Sequence, residues 1–103
     1  MDATERVINR AAFKLELQDK VKESEMIDVF LMDIENSYIL THGANIEVLH
    51  SLGRKWAEIF AKFFELSEND FYYEVNILII QSTLYSIVID AFFNDDEYDE
   101  EEE

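Results

Sequence analysis

The strongest metal-like pattern in this sequence is Glu47-x-x-His50, two residues that lie on one face of a helix. Carboxylate-bridged di-iron bundles use two such pairs together with two further glutamates. This chain offers a single pair, and the last apolar segment adds only Glu74 and Asp90. Four-residue matches of this kind are common by chance. We therefore expect no metal site, with Glu47 in the first turn of a helix and His50 at the edge of its core face.

Other chemistry has even less support from the residue types. Cysteine is absent, which removes thiol nucleophiles, thiolate metal sites and disulfides. No G-x-S-x-G motif occurs, and two isolated glycines cannot supply a phosphate-cradling loop. Among 24 acids, no carboxylate stands out as an acid–base catalyst. The sequence thus predicts a non-enzymatic protein without a cofactor.

Negative charge dominates the chain. It has 24 acids and 8 bases in 103 residues, a net charge of −16, and no Lys or Arg follows Lys62. Residues 95–103 contain 8 acids and no base. Nucleic acids and anionic membranes bind cationic surfaces, so we expect neither as a direct partner. We expect instead a basic protein surface as the partner and, because the first residues form no apolar leader, a cytoplasmic location.

The scarcity of chain breakers predicts an all-α fold. Proline is absent, glycine occurs twice, and 49% of the residues are hydrophobic. Apolar residues at helical spacing predict a small bundle of four helices, or three if the first two are continuous through Lys20–Glu25. We expect one helical domain over residues 1–94 and a disordered acidic tail over residues 95–103, because blocks of like charge repel themselves.

The first two predicted helices each leave an alternative open. Helix one starts near Asp2 or Thr4, but the alternation from Phe13 to Leu17 also fits a strand. Helix two follows Ser24, a possible cap, carries its apolar stripe to Tyr38 and ends at Gly43. The alternative for this segment is a β-hairpin over residues 29–41.

The third helix is predicted from Ile46, after Asn45 as its cap, to about Leu66. Gly53 lies inside it, although glycine costs roughly 1 kcal/mol relative to alanine in a helix interior. A packing reason explains this glycine best, so we expect another helix to cross closely at Gly53.

The fourth helix is predicted to follow the start signal Ser67–Asp70 and to run to about Phe93. Its fifteen uncharged residues between Glu74 and Asp90 fall short of the roughly 20 that cross a bilayer. Two apolar stripes can be traced on it, which are Phe71, Val75, Leu78, Tyr85, Ile89 and Phe92, and Tyr73, Ile77, Ile80, Leu84, Val88 and Ala91. We therefore expect a central helix covered on most sides, by the other helices and by a second copy in a homodimer.

Two groups of residues are candidates for partner contacts. The first group comprises acids at positions expected to be exposed, which are Asp28, Asp33, Glu35, Glu65, Glu68 and Asp70, with Asp95, Asp96 and Glu97 in the tail. The second comprises aromatic residues near the last two helices, which are Phe64, Tyr72, Tyr85 and Phe92. The aromatics fit a core, and the alternative is that they are exposed anchors of an oligomer contact.

In size and charge the chain resembles the small acidic inhibitors that phages and mobile elements make, including DNA-mimic anti-restriction and anti-CRISPR proteins. It is similar in the same way to the acidic helical immunity proteins that neutralise nuclease toxins. The resemblance implies an inhibitor that presents phosphate-like carboxylates to a nucleic-acid-binding protein or nuclease. The alternative is a homo-oligomeric structural or adaptor protein whose acidity serves solubility.

Overall fold

The computed structural model describes residues 3–37 and 46–93, and this part of the chain is all-α, as predicted. Its four helices are α1 (Ala3–Glu23), α2 (Met26–Asn36), α3 (Ile46–Phe63) and α4 (Tyr73–Phe92). The described ranges contain no strand. The predicted caps Gly43 and Asn45 and the predicted disordered tail lie outside the described residues.

Helices α1 and α2 are separate, so the alternative of one continuous helix is wrong. The break lies at Ser24 and Glu25, where the Ser24 hydroxyl oxygen accepts a hydrogen bond from the Met26 amide at 3.0 Å. Serine favours such a bond to a nearby backbone amide, which competes with continuing the helix. The strand alternative at Phe13–Leu17 is wrong because these residues belong to α1. The first strand of the alternative hairpin is wrong because its residues belong to α2.

Helix α3 ends at Phe63, three residues before the predicted end at Leu66. The Leu66 amide donates to the Ala61 carbonyl at 2.9 Å, and the Glu65 amide donates to the Lys62 carbonyl at 3.0 Å. These two bonds form a Schellman motif, whose turning residue takes the left-handed conformation. That residue is Glu65, with a φ of 63°. Glycine usually holds this position, so a glutamate there does not signal the turn in the sequence.

Helix α4 begins at Tyr73, later than the signal at Ser67–Asp70 predicted. The Ser67 hydroxyl accepts the Asn69 amide at 3.1 Å, and an Asp70 carboxylate oxygen accepts the Tyr72 amide at 2.7 Å. These side chains therefore stabilise turns in the connection and do not cap the helix. Phe71, which was predicted to lie on an apolar stripe of the helix, precedes it.

The core forms around α4, which packs against both α1 and α3. This confirms α4 as the central helix. Within the described residues, twelve hydrophobic side chains are buried, which are Leu17, Val21, Phe30, Ile34, Trp56, Ala57, Phe60, Ala61, Ile77, Ile80, Leu84 and Val88. The Trp56 ring meets the edge of Phe30 with 5.8 Å between centroids, so the shorter helix α2 joins the same core through α3.

The predicted close crossing at Gly53 is confirmed. A Cβ atom at Gly53 would lie only 2.8 Å from Cε1 of Tyr85 on α4, closer than real Cβ contacts come. The missing side chain of Gly53 therefore provides the space into which the Tyr85 ring packs.

The two apolar stripes of α4 have different surroundings. The stripe that includes Ile77, Ile80 and Leu84 is buried, whereas Val75, Leu78 and Ile89 of the other stripe are exposed. The rest of the described chain covers one face of this helix and leaves the opposite face to solvent.

Helix α4 is also the only helix in residues 3–37 and 46–93 that is long and apolar enough to cross a membrane. Of its most apolar 18-residue stretch, 44% is buried inside the bundle. Its buried side contains Asn76 and Gln81, each hydrogen-bonded to another helix. The buried side of α4 is therefore held to α1 and α3 by polar contacts as well as by apolar packing.

Candidate binding surfaces

Arg54 holds α3 to the start of α4. Its guanidinium donates to Glu58 at 2.8 Å and to both carboxylate oxygens of Glu74, at 3.0 and 3.2 Å. The hydrogen bonds from Arg54 hold the pKa of Glu74 below its ordinary value. The two carboxylates raise the pKa of Arg54, with Glu74 contributing most. This cation and two acids therefore form a charge cluster at the surface between α3 and α4, and Arg54 contributes no basic surface patch.

Arg10 on α1 is held in a similar way. Its Nη2 atom donates to the side-chain oxygen of Asn76 at 2.9 Å, and its guanidinium carbon lies 4.3 Å from the centre of the Tyr72 ring. The sequence left Tyr72 as a core residue or, alternatively, as an exposed anchor. Its ring is half-buried beneath this guanidinium, a cation–π contact that ties α1 to the start of α4.

Asp33 is the one predicted partner-binding acid that contacts the core directly in the described structure. Its carboxylate accepts a hydrogen bond from the indole nitrogen of Trp56 at 2.7 Å and lies 3.6 Å from the Lys55 amine. Its side chain is 33% exposed. Asp33 therefore fixes α2 against α3, and only part of its carboxylate is exposed to solvent.

The outer face of α2 carries an acidic surface. Asp28 and Glu35 are exposed there, as predicted, and Glu25 at the start of the helix is exposed beside them. Val29 and Met32 lie between these acids and are 54% and 59% exposed. No Lys or Arg occurs between Glu25 and Ser37. We call these five residues the α2 outer face.

Sequence reasoning missed three members of this face, namely Glu25, Val29 and Met32. Their signal was available, because residues 25, 28, 29, 32 and 35 recur at the helical period opposite the buried stripe of Phe30 and Ile34. The face thus combines three exposed acids with two exposed apolar side chains.

The connection between α3 and α4 carries the second acidic surface. Glu65, Glu68 and Asp70 are all exposed, and no base lies between Phe63 and the start of α4. Glu68 also acts on its neighbour Tyr73, whose pKa is raised by burial first and by this charge second. The remaining predicted acids, Asp95, Asp96 and Glu97, lie outside the described residues.

The other predicted anchors are also partly enclosed. Phe64 packs on Phe60 with 5.8 Å between ring centroids, and Phe92 packs against the edge of the core. The large exposed apolar side chains near these aromatics are different residues, which are Phe63, Phe71, Val75, Leu78, Ile89 and Phe93. The exposed apolar surface near the last two helices is therefore formed mostly by residues other than the predicted anchors.

Tyr85 belongs to a polar cluster with His50 and Gln81. Its hydroxyl lies 2.9 Å from Nδ1 of His50 and accepts a hydrogen bond from Gln81 at 2.9 Å. Gln81 also donates to the His50 carbonyl at 3.3 Å. In residues 3–37 and 46–93, no three metal-ligating side chains come together. His50 links α3 to α4 through these hydrogen bonds.

Comparison of the chain with known protein families, with curated proteins and with solved structures finds no match.

Proposed function

We propose that this protein is a non-enzymatic, cytoplasmic binding protein that occupies a basic surface of a nucleic-acid-binding protein or nuclease and inhibits it by nucleic-acid mimicry. The observation that carries this proposal is the α2 outer face, where Glu25, Asp28 and Glu35 surround exposed Val29 and Met32 without a base. Such a face suits a partner surface that is cationic and partly apolar.

The placement of the cations supports the same proposal. Arg54 binds Glu58 and Glu74, Arg10 binds Asn76, and Lys55 lies beside Asp33. Arg54 and Lys55 are therefore engaged by acids outside the α2 outer face and the connection, and Arg10 is engaged by an amide. The exposed acids of these two surfaces remain as a source of negative potential for a basic partner.

Carboxylates on a rigid helix can take the places of phosphate oxygens. Asp28 and Glu35 are seven residues apart, which corresponds to about 10 Å along a helix axis. Lys and Arg side chains that bind a phosphate backbone bind carboxylates through the same charge-assisted hydrogen bonds. The eight acids of residues 95–103 add to the field in the sequence. We expect fast association and a steep loss of affinity with salt.

The test uses purified nucleases and DNA-binding proteins, with a basic protein that does not bind nucleic acid as a reference. Binding is measured at about 50 and 200 mM salt, the range over which phosphate-type contacts lose most affinity. We expect binding to at least one nuclease or DNA-binding protein, displacement by duplex DNA, and loss of the target's activity on DNA.

A matched pair of triple variants locates the surface. Glu25→Gln with Asp28→Asn and Glu35→Gln neutralises the α2 outer face and should weaken binding at least tenfold. Glu16→Gln with Asp19→Asn and Glu23→Gln removes the same charge from exposed positions of α1, where Lys14, Lys20 and Lys22 lie nearby, and should weaken it less. Truncation after Asn94 measures the share contributed by the tail acids. Binding that is insensitive to salt and equal for both triple variants would contradict mimicry, as would equally tight binding to the reference protein.

A structural or adaptor role is the second candidate, favoured by the exposed apolar residues Val75, Leu78 and Ile89 on α4. In that case, partner affinity would be indifferent to salt and would depend on these side chains.

A further inference from the structure

The outward face of α4, together with Phe93 directly after the helix, carries a regular pattern of six exposed residues, spaced three or four apart. They are Val75, Leu78, Ser82, Ser86, Ile89 and Phe93. None is charged, and this spacing places them in one strip opposite the buried face of the helix. The bulky side chains Val75, Leu78, Ile89 and Phe93 are 45%, 58%, 48% and 49% exposed. An uncharged apolar strip is unexpected on the surface of a chain with a net charge of −16.

The strip is nearly symmetric about position 84. Val75 lies nine residues before position 84, and Phe93 lies nine residues after it. Ser82 and Ser86 lie two residues before and after this position. Leu78 lies six residues before it, and Ile89 lies five residues after it. If a second α4 runs antiparallel across the first, a two-fold axis near position 84 places each large side chain opposite another large one. The small serines then meet at the centre, where they allow the two helix backbones to approach. Self-complementarity of this kind is what an isologous dimer contact requires.

We propose that the outward face of α4 is the contact of an antiparallel homodimer, with its two-fold axis near position 84. The contact goes beyond the proposed function because it uses none of the acids on α2 or in the connection. A basic partner is attracted to those acids, whereas the α4 strip offers it no charge. A second copy offers a matching uncharged apolar surface that can cover the strip.

Charge favours the antiparallel orientation. Eight acids follow Phe93 within residues 95–103, so in a parallel pair both acidic segments would continue from the same end of the helix pair. An antiparallel pair places the two Phe93 residues, from which these segments continue, apart by about the length of α4, about 30 Å for 20 residues. That separation exceeds the screening length of about 8 Å at physiological salt. The helix dipoles of an antiparallel pair also oppose each other favourably.

The test is sedimentation equilibrium of the full chain over a wide concentration range. One helix pair forms a contact at the small end of interface sizes, so we expect a monomer–dimer equilibrium in the micromolar range. Leu78→Glu should weaken dimerisation at least tenfold, with unchanged helix content by circular dichroism. Met32→Glu on α2 is the matched control, since Met32 is 59% exposed and Leu78 is 58% exposed. It should leave the equilibrium unchanged.

Cross-linking tests the orientation, since the chain contains no cysteine. A mixture of Val75→Cys and Phe93→Cys chains, treated with a short thiol cross-linker, should give the mixed dimer, and Val75→Cys alone should give little. A monomer at all concentrations would overturn the proposal, and so would equal effects of Leu78→Glu and Met32→Glu. Efficient linkage of Val75→Cys to itself would overturn the antiparallel arrangement. Flotation of a monomeric chain with neutral lipid vesicles, abolished by Leu78→Glu, would assign the strip to a membrane surface instead.

Discussion

Helix α4 has two apolar faces that contrast within one segment of the chain. On the inward face, Ile77, Ile80, Leu84 and Val88 are at most 2% exposed. On the outward face, Val75, Leu78, Ile89 and Phe93 are 45–58% exposed. The two sets are similar in hydrophobicity, so apolar content does not explain which one became the core.

The polar residues of the two faces account for the difference. The inward side contains Asn76 and Gln81, which hydrogen-bond to Arg10 on α1 and to the His50 carbonyl on α3. These bonds link α4 to two helices in one register, because a buried amide without a partner is costly. The outward face contains Ser82 and Ser86, which are exposed. Hydrophobic burial thus stabilises the inward face, and the buried amides specify it.

The largest expected effect comes from one substitution made on each face. Leu84→Ala removes a fully buried side chain and should lower the free energy of unfolding by about 2 to 5 kcal/mol. Leu78→Ala removes a side chain that is 58% exposed and should change it by less than about 0.5 kcal/mol at low protein concentration. Urea unfolding followed by the fluorescence of Trp56, the single tryptophan, measures both.

Equal losses of unfolding free energy for these two variants at low concentration would contradict the difference between the two faces, because the outward face would then be covered within the monomer. A loss for Leu78→Ala that grows with protein concentration would show that the outward face is covered only in a dimer, because dimer formation stabilises the folded state by mass action.

A smaller effect should follow from the polar residues of the two faces. Asn76→Ala removes the acceptor of the Arg10 hydrogen bond and should cost about 1 to 3 kcal/mol, because the half-buried guanidinium loses a partner. Ser82→Ala lies on the exposed side and should be neutral or stabilise slightly, within about 0.5 kcal/mol, since alanine favours helices. The same unfolding assay compares them. If Asn76→Ala is as neutral as Ser82→Ala, the buried amide does not specify the inward face.

The sequence predicted the helices and much of the core, because strong local patterns determine both. The stripes that contain Phe30, Trp56 and Phe60 have one apolar side each, so their inward direction was predictable. Helix α4 has two apolar sides, and its orientation depends on Arg10 and His50, which are distant in the sequence. The end of α3 was not predictable because Glu65, a residue that rarely adopts positive φ, makes the turn.

The candidate surfaces were predictable to a similar extent. Asp28 and Glu35 are exposed, as their positions on the helical period indicate. The role of Asp33 depends on Trp56, 23 residues further along the chain, and no local pattern predicts this contact. Sequence position therefore identified exposed acids, whereas long-range packing decided which of them also stabilises the fold.

The smallest effect concerns Gly53, which faces Tyr85 at the border between the two faces of α4. In most helix interiors Gly→Ala stabilises by about 1 kcal/mol. Here the new Cβ would lie 2.8 Å from Cε1 of Tyr85, whose ring is held by hydrogen bonds to Gln81 and His50. Overpacking costs about 1 to 3 kcal/mol, so we expect Gly53→Ala to destabilise the protein by about 1 kcal/mol overall.

A double-mutant cycle separates the two contributions. In a Tyr85→Ala background the close contact is absent, so Gly53→Ala should there stabilise the fold by about 1 kcal/mol. The sign of the effect thus reverses between the two backgrounds, and the coupling measured by urea unfolding should be about 2 kcal/mol, within the range for residues in contact. If Gly53→Ala stabilises equally in both, the Tyr85 ring moves aside freely. Tyr85 would then belong to the exposed face of α4, and Gln81 would mark the border of the inward face around the helix.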